Sequence, residues 1–289
     1  MLNQALTSYN KVKPEDTSIG QLLLDMGRLT EHDVQHVLHV QQEEGLQFGE
    51  AAIKLGLITE ADIRQVLSMQ FDYPYRQAGQ GSFSKELIAV YQPFSPQVEA
   101  LRVLRSQLVV RWFTERASTL AVVGAQAGDG STYIAANLAV VFSQLGEKTL
   151  LIDANLRKPR QRQIFNLQEK RGLSDILAGR ADEKAIIHIE TFMGLSVLGA
   201  GTIPPNPQEL LSRPIFNELL AHTTDKYDVV IVDTSPAAES ADFQAIVARA
   251  GGALLVSRKD HTKLTDLARL RDQIKGTGAQ VVGAVLNDY

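Results

Sequence analysis

The chain has 289 residues, of which 44% are hydrophobic and 21% charged, with a formal net charge of −4 and no cysteine. This composition excludes wholesale disorder and suits a globular protein of two domains. The acidic balance argues against a protein that binds nucleic acid mainly through its phosphates, and the lack of cysteine excludes disulfides and a thiolate nucleophile. No stretch of the sequence approaches the roughly 18 apolar residues of a membrane helix, so we expect a cytoplasmic protein.

The first part of the chain contains a sequence repeat. A shift of 29 residues aligns the segment 20–41 with the segment 49–70. In each copy a glycine turn leads to a threonine, Thr30 or Thr59, whose hydroxyl can cap the helix that follows. Apolar residues at helical spacing then form one buried stripe per helix. We therefore predict a small helical tandem-repeat domain over residues 1–76.

Residues 77–96 are rich in glycine, proline, serine and glutamine, which is typical of a linker, here with one short helix near residues 85–91. From residue 97 to 289, apolar runs alternate with helical stretches, and such runs predict buried strands of a parallel sheet with helices on both faces. The second domain is therefore predicted to be α/β, with a doubly wound, mostly parallel sheet that binds ligands at the carboxyl ends of its strands. The strand candidates are residues 119–124, 148–153, 195–199, 228–233, 253–256 and 281–286.

A glycine-rich loop joins the first of these strands to a helix. Such a loop presents backbone N–H groups and a positive helix end to phosphate oxygens. An ordinary glycine-rich turn is the alternative, since Ser131 stands where a P-loop has lysine and Ala125 where it has its first glycine. The residues predicted to contact a nucleotide here are Gly128, Asp129, Gly130, Ser131, Thr132 and Tyr133.

Two aspartates, Asp153 and Asp233, each end a fully apolar strand. Carboxylates at strand ends beside a phosphate loop can hold Mg²⁺, and one of them can accept a proton from an attacking hydroxyl. A single aspartate at a strand end is commonplace, but two of them together with such a loop favour nucleotide binding. We predict that Thr132, Asp153 and Asp233 hold Mg²⁺ and that the two aspartates are the catalytic residues, with Asp153 as the base.

These motifs carry a family resemblance. The span 97–289 resembles the cytoplasmic domain of bacterial tyrosine kinases (BY-kinases) of polysaccharide export, of the chain-length determinant (EpsG) type. The repeat domain resembles the N-terminal domain of type II secretion ATPases. The matching pieces are residues 128–139 for the first Walker motif, 151–157 for Walker A′, 233–236 for Walker B, 199–211 for a loop and helix of the family, Glu99, Arg102 and Arg105 for its oligomerisation motif, and Asn287 for an asparagine that faces adenine.

The resemblance implies a P-loop NTPase-like fold, ATP and Mg²⁺ as cofactors, and transfer of a phosphoryl group to tyrosine. It also implies a homo-oligomer that regulates exopolysaccharide chain length and export together with a membrane-embedded chain-length determinant protein. That partner is expected to recruit the chain to the inner face of the cell membrane. Neither a nucleic-acid partner nor a membrane span of its own is expected.

The sequence also departs from the family pattern. Ser131 replaces the P-loop lysine, and Asn155 replaces the second aspartate of Walker A′. Ser18 and Gln47 stand where the repeats that bind cyclic di-GMP have arginine, so binding of that ligand is not expected. Two alternatives therefore stay open: a catalytically weak, nucleotide-binding scaffold that acts by oligomerisation, and a partition-type ATPase. The acidic charge and the lack of a lysine at residues 125–127 weigh against the second.

Overall fold

The computed structural model describes residues 18–70, 83–113 and 118–288. The chain divides into two compact units, Met1–Tyr75 and Arg76–Tyr289. Both ends of the predicted repeat domain and the first residues of the predicted linker, 77–82, lie outside the described residues. None of the helices that the structure describes is long and apolar enough to cross a bilayer.

The first unit consists of two helical pairs, α1 (Ile19–Asp25) with α2 (Glu31–Glu44) and α3 (Phe48–Lys54) with α4 (Glu60–Gln70). At the start of α2 the hydroxyl of Thr30 accepts the N–H of Asp33 at 3.2 Å, and the Asp33 carboxylate accepts the N–H of Thr30 at 2.9 Å. Thr59 and Asp62 repeat these contacts at 3.3 and 2.9 Å. Both helix caps predicted from the sequence are confirmed, because each threonine satisfies an N–H that its helix leaves free.

A short turn joins the two helices of each pair. Gly27 and Gly56 lie in these turns with φ of 66° and 70°, in the left-handed region that favours glycine. The turns bring the apolar stripes of all four helices together into one small core. Its fully buried side chains are Leu23, Val37, Ala51, Ala52 and Val66.

The predicted linker 77–96 contains the short helix expected near residues 85–91, and its described residues pack on the α/β unit. In its described part, α5 (Ile88–Tyr91) packs on α7 (Ser131–Ser143), and the side chain of Asn137 accepts the N–H of Ala89 at 3.0 Å. Asn137 also donates to the carbonyl of Glu86 at 2.9 Å. Pro96, one of the residues that indicated a linker, instead begins α6 (Pro96–Arg111). Residues 83–96 therefore belong to the α/β unit.

The second unit is built on a seven-stranded sheet in the order β3-β4-β2-β5-β1-β6-β7. All strand pairs are parallel except β3–β4. The six predicted strands are present, and the sequence interpretation missed only the short edge strand β3 among the described strands. The strands are β1 (Thr119–Gly124), β2 (Thr149–Asp153), β3 (Ile186–His188), β4 (Leu195–Leu198), β5 (Val229–Asp233), β6 (Gly252–Arg258) and β7 (Gln280–Asn287).

Helices cover both faces of this sheet. Along β1, Leu120 and Val122 pack into one apolar core, and Ala121 and Val123 pack into a second. Because alternate side chains of a strand point to opposite faces, both faces are buried. The predicted doubly wound, mostly parallel α/β fold is confirmed. Its remaining helices are α8 (Gln161–Ile164), α9 (Leu173–Leu177), α10 (Pro207–Leu211), α11 (Pro214–Thr224), α12 (Asp242–Ala250) and α13 (Leu264–Gly276).

Candidate functional site

The loop between β1 and α7 has the backbone of an anion-binding turn. Gly128 and Gly130 have φ of 88° and 92°, a conformation that strains any residue with a side chain. Gly130 is the N-cap of α7. The first N–H groups of a helix have no partner within the helix and lie at its positive end, so they attract negatively charged oxygens. The predicted phosphate loop therefore has a backbone conformation that suits anion binding.

Two polar side chains that were predicted to contact a nucleotide hold this loop in shape. The fully buried carboxylate of Asp129 accepts the N–H of Gln126 at 2.8 Å and the hydroxyl of Thr262 at 2.6 Å. His261 Nδ1 lies 3.2 Å from the same carboxylate. Asn287 donates to the carbonyl of Asp129 at 3.2 Å. The loop after β6 and the last residue of β7 thus hold the phosphate loop in place.

The three residues predicted to hold Mg²⁺ lie together at the carboxyl ends of neighbouring strands. Asp153 and Asp233 are register partners on β2 and β5, and both are fully buried. The hydroxyl of Thr132, in the first turn of α7, donates to Asp233 at 3.2 Å. The Asp153 carboxylate accepts three backbone N–H groups, those of Asn155, Arg160 and Gln161, at 3.2, 3.0 and 2.9 Å.

Burial makes these two carboxylates unusually basic. Burial, and after it repulsion by Asp233, raises the pKa of Asp153 to about 8. Burial also raises the pKa of Asp233 to about 6, although hydrogen bonds from Gln161 and Thr132 act in the opposite direction. Two such groups side by side are stabilised by a cation, which removes both the repulsion and the penalty for charge.

The donor set suits Mg²⁺ in a nucleotide complex. Two carboxylates and a hydroxyl are hard oxygen ligands, and Mg²⁺ usually takes one or two carboxylates and completes its shell with waters and phosphate oxygens. Among the described residues, no group of three or more His, Asp or Glu side chains could hold a metal by itself. An ion bound to Asp153, Asp233 and Thr132 would therefore depend on phosphate and water for its other ligands.

Sequence reasoning missed one residue of this cluster, Gln161 at the start of α8. Its side-chain nitrogen donates to Asp233 at 2.8 Å and to the carbonyl of Thr132 at 3.1 Å. Gln161 and Asp233 are 72 positions apart in sequence. No motif marks Gln161, and only the chain path around the end of β2 brings it to the aspartates.

A cavity of about 950 Å³ opens above the phosphate loop. This volume lies within the range of small-molecule sites, roughly 300–1,000 Å³. One wall is polar and includes the predicted nucleotide-binding residues Ser131, Thr132 and Asn287. The apolar part of the lining comes from α6 and the end of β7. Its apolar side chains are Leu101, Val103, Leu104, Ala284, Val285 and Leu286.

The family profile that matches this chain lies within the second unit, Arg76–Tyr289. A family profile described as "AAA domain" matches residues 117–280. EpsB of Ralstonia solanacearum is 36% identical over 201 residues, which are 70% of this chain and 27% of EpsB. The chain thus spans about a quarter of the length of this curated relative.

Similarity to solved structures shows the family to which the chain belongs. The kinase domain of Escherichia coli tyrosine kinase ETK aligns with a TM-score of 0.67 and 33% identity, over 74% of this chain and 84% of that domain. The chimerical protein CapA2B2 aligns with a TM-score of 0.66 and 34% identity, over 79% of this chain and 98% of CapA2B2. The chain belongs to the family of bacterial tyrosine-kinase domains.

In this member of the family, the basic residues that follow β2 are held in ion pairs. Arg157 forms a bidentate pair with the buried Asp242 at 2.7 and 3.1 Å. Lys158 pairs with Glu239 at 2.7 Å, and Arg160 pairs with Glu86 at 2.6 Å. Lys158, Arg160 and both of their acidic partners line the cavity. Ion-paired basic side chains therefore line the cavity together with Ser131, which stands in the lysine position of the loop.

The residue that replaces the second Walker A′ aspartate has a local role. The side-chain oxygen of Asn155 accepts the N–H of Lys158 at 3.0 Å. This contact closes the turn that carries the basic residues. Asn155 also lines the cavity, as residues of the phosphate loop do. Its side-chain oxygen, however, is occupied by the hydrogen bond from the backbone.

The predicted oligomerisation triplet lies on α6. Arg102 forms an ion pair with Glu99 at 2.8 Å and donates to the carbonyl of Pro93 at 2.7 Å. Arg105 donates to the carbonyl of Val141 at 2.7 Å and so ties α6 to α7. All three residues line a shallow groove. The structure gives the triplet contacts within one chain, and its role between subunits stays a prediction.

Proposed function

We propose that the chain binds MgATP and transfers the γ-phosphoryl group to a tyrosine hydroxyl. The observation that carries this proposal is the pair of buried carboxylates, Asp153 and Asp233, at the base of the phosphate loop, with the Thr132 hydroxyl bonded to Asp233. A simple turn would not require two buried carboxylates on neighbouring strand ends, since each costs free energy to ionise. A phosphoryl-transfer site uses them to hold the metal and to accept a proton.

The residues have distinct parts in the proposed reaction. A bound Mg²⁺ would neutralise charge on the phosphates. The N–H groups of residues 128–133 bind phosphate oxygens, and the carboxylate of Asp153 accepts the tyrosine proton. As the tyrosine oxygen bonds to the γ-phosphorus, the bond to the β–γ bridging oxygen breaks, and ADP and phosphotyrosine are the products.

Phosphotyrosine formation tests this proposal. Purified protein is incubated with MgATP, with and without a membrane chain-length determinant protein, and phosphotyrosine is detected by immunoblot. We expect a signal that Asp153→Asn abolishes, because the variant lacks the base. Asp272→Asn, an exposed aspartate on α13, is the control and should leave the signal unchanged. No phosphotyrosine under either condition would contradict the proposed transfer.

We further propose that the chain acts as a homo-oligomer with such a membrane partner in the regulation of exopolysaccharide chain length and export. The resemblance of residues 199–211 and of the Glu99, Arg102, Arg105 triplet to their family counterparts supports this. Light scattering in MgATP should show a lower mass for the double variant Arg102→Ala, Arg105→Ala than for wild type. An unchanged mass would reject the subunit role of the triplet.

A second candidate function is a scaffold that binds nucleotide and hardly turns it over. Ser131 favours it, because a neutral hydroxyl replaces the charge that a P-loop lysine gives to the β- and γ-phosphates. The two candidates differ in one readout. A scaffold changes its association state on binding MgATP but forms no phosphotyrosine even with its partner present.

A further inference from the structure

Gln161 is a fully buried amide whose orientation the structure determines. Its side-chain nitrogen lies 2.8 Å from a carboxylate oxygen of Asp233 and 3.1 Å from the carbonyl oxygen of Thr132. Both neighbours are acceptors, so the atom between them must be the donor nitrogen rather than the oxygen. The other end of the amide, Oε1, is therefore an acceptor.

This acceptor has no hydrogen-bond partner among the described residues. Buried polar atoms nearly always have one, because an unmet acceptor away from water costs free energy. In a metal-bound site both carboxylates are ionised and only accept, and the Thr132 hydroxyl already donates to Asp233, so no neighbouring side chain is left to donate. The donor for this oxygen is therefore a water molecule or a group of a ligand.

The burial of Gln161 limits what this ligand group can be. Gln161 has no exposed surface and does not line the cavity above the loop. A substrate side chain in the cavity therefore has no surface of Gln161 to contact. A small donor held against Asp233 fits better, and Mg²⁺ in nucleotide sites keeps several waters in its shell.

We propose that Gln161 is a positioning residue for the metal. Its oxygen accepts a hydrogen bond from a water bound to Mg²⁺, while its nitrogen holds the Asp233 carboxylate in place. The inference rests on the proposed binding of Mg²⁺-nucleotide. It adds a residue of this chain to the metal site and predicts that Gln161 acts only when the metal is present. Residues that orient metal ligands in this way typically change metal affinity by about 10–100-fold.

The test compares nucleotide affinity with and without Mg²⁺. A fluorescent ADP analogue is titrated with wild type, Gln161→Met and Gln161→Glu, once in Mg²⁺ and once in EDTA. Methionine has a similar volume and lacks both polar atoms, whereas glutamate keeps an acceptor. Gln163→Met, at an exposed position of the same helix, is the matched control. The quantity of interest is the gain in affinity that Mg²⁺ brings.

We expect Gln161→Met to lose about tenfold of this gain and to keep its affinity in EDTA. Gln161→Glu should keep at least the wild-type gain, and Gln163→Met should match wild type. An unchanged gain in Gln161→Met, or an equal loss in EDTA and Mg²⁺, would overturn the inference, because Gln161 would then be irrelevant or merely structural. Should Gln161→Met fail to fold, Gln161→Glu decides alone, and a gain below wild type contradicts the proposal.

The same titration separates this inference from the proposed function. Wild type that binds no nucleotide under either condition would overturn both. Wild type that binds more tightly with Mg²⁺, with Gln161→Met gaining just as much, would overturn the role of Gln161 alone.

Discussion

The two units of the chain use hydrogen bonds over very different distances in sequence. In the helical unit, Thr59 and Asp62 are three residues apart and cap the helix to which they belong. In the α/β unit, Thr132 and Asp233 are 101 residues apart, and Thr262 and Asp129 are 133 apart. A local cap needs only its own helix, whereas the site exists only once the sheet has assembled. Changes in the first kind of contact should alter stability, and changes in the second should alter ligand binding.

The strongest test of this contrast removes a charge at the centre of the long-range cluster. Asp233→Asn keeps the shape of the side chain but lacks the charge that attracts a cation. Because residues that merely orient a metal ligand already matter by about 10–100-fold, we expect this variant to lose nearly all of the Mg²⁺-dependent gain in nucleotide affinity. Calorimetric titration measures it. A variant that still gains affinity from Mg²⁺ like wild type would remove Asp233 from the metal site.

The second prediction concerns pH. The pKa of Asp153 is raised to about 8, far above its value in an unfolded chain, so the native state holds a proton that the unfolded state has released over this range. The free energy of unfolding of the ligand-free protein should therefore fall as pH rises from about 5 to 8, by on the order of a few kcal/mol. Denaturation by urea at several pH values measures it.

Asp153→Asn is the control for this pH dependence. Its amide does not titrate, so most of the decline should disappear, and the variant should be more stable than wild type near pH 8. Equal slopes for the two proteins would show that Asp153 ionises normally in the native state.

A smaller effect is expected from a substitution of Ser131, which lines the cavity. Ser131→Lys restores a positive charge beside the phosphates, and charged hydrogen bonds exceed neutral ones by enough to tighten ATP binding by about tenfold. Charge on the transferring oxygens is greatest in the transition state, so the rate of phosphoryl transfer should rise more than the affinity. The measurement is the initial rate of phosphoryl transfer and the affinity for ATP, for wild type and for Ser131→Lys. A wild type that is fast alone and is slowed by Ser131→Lys would contradict this account.

The smallest effects are expected when one of two threonine hydroxyls is removed, one in each unit. Thr59→Ala removes a helix cap and should lower the stability of the helical unit by about 1 kcal/mol, with nucleotide affinity unchanged. Thr262→Ala removes a hydroxyl that holds Asp129 behind the phosphate loop, so it should weaken nucleotide binding. Thermal unfolding and nucleotide titration of both variants provide the comparison. Weakened binding in Thr59→Ala would show that the two kinds of contact are not separable.

The same contrast explains how far the sequence could be interpreted. Thr30, Thr59 and the strand that ends in Asp153 follow patterns within a few residues, and these predictions are confirmed. The packing of residues 83–96 depends on Asn137, whose contact with Ala89 crosses 48 residues. The role of Gln161 depends on the order of β2 and β5 in the sheet. No local pattern encodes either contact, so both became visible only in the assembled fold.

One measurement tests the central claim, that a phosphate loop without its lysine still binds Mg²⁺-nucleotide through Asp153 and Asp233. It is a calorimetric titration of the wild-type chain with a non-hydrolysable ATP analogue, in Mg²⁺ and in EDTA. We expect binding in both conditions and at least about tenfold tighter binding in Mg²⁺, because the metal neutralises both the phosphates and the buried carboxylates. No binding heat in Mg²⁺, or the same affinity with and without the metal, would contradict the account.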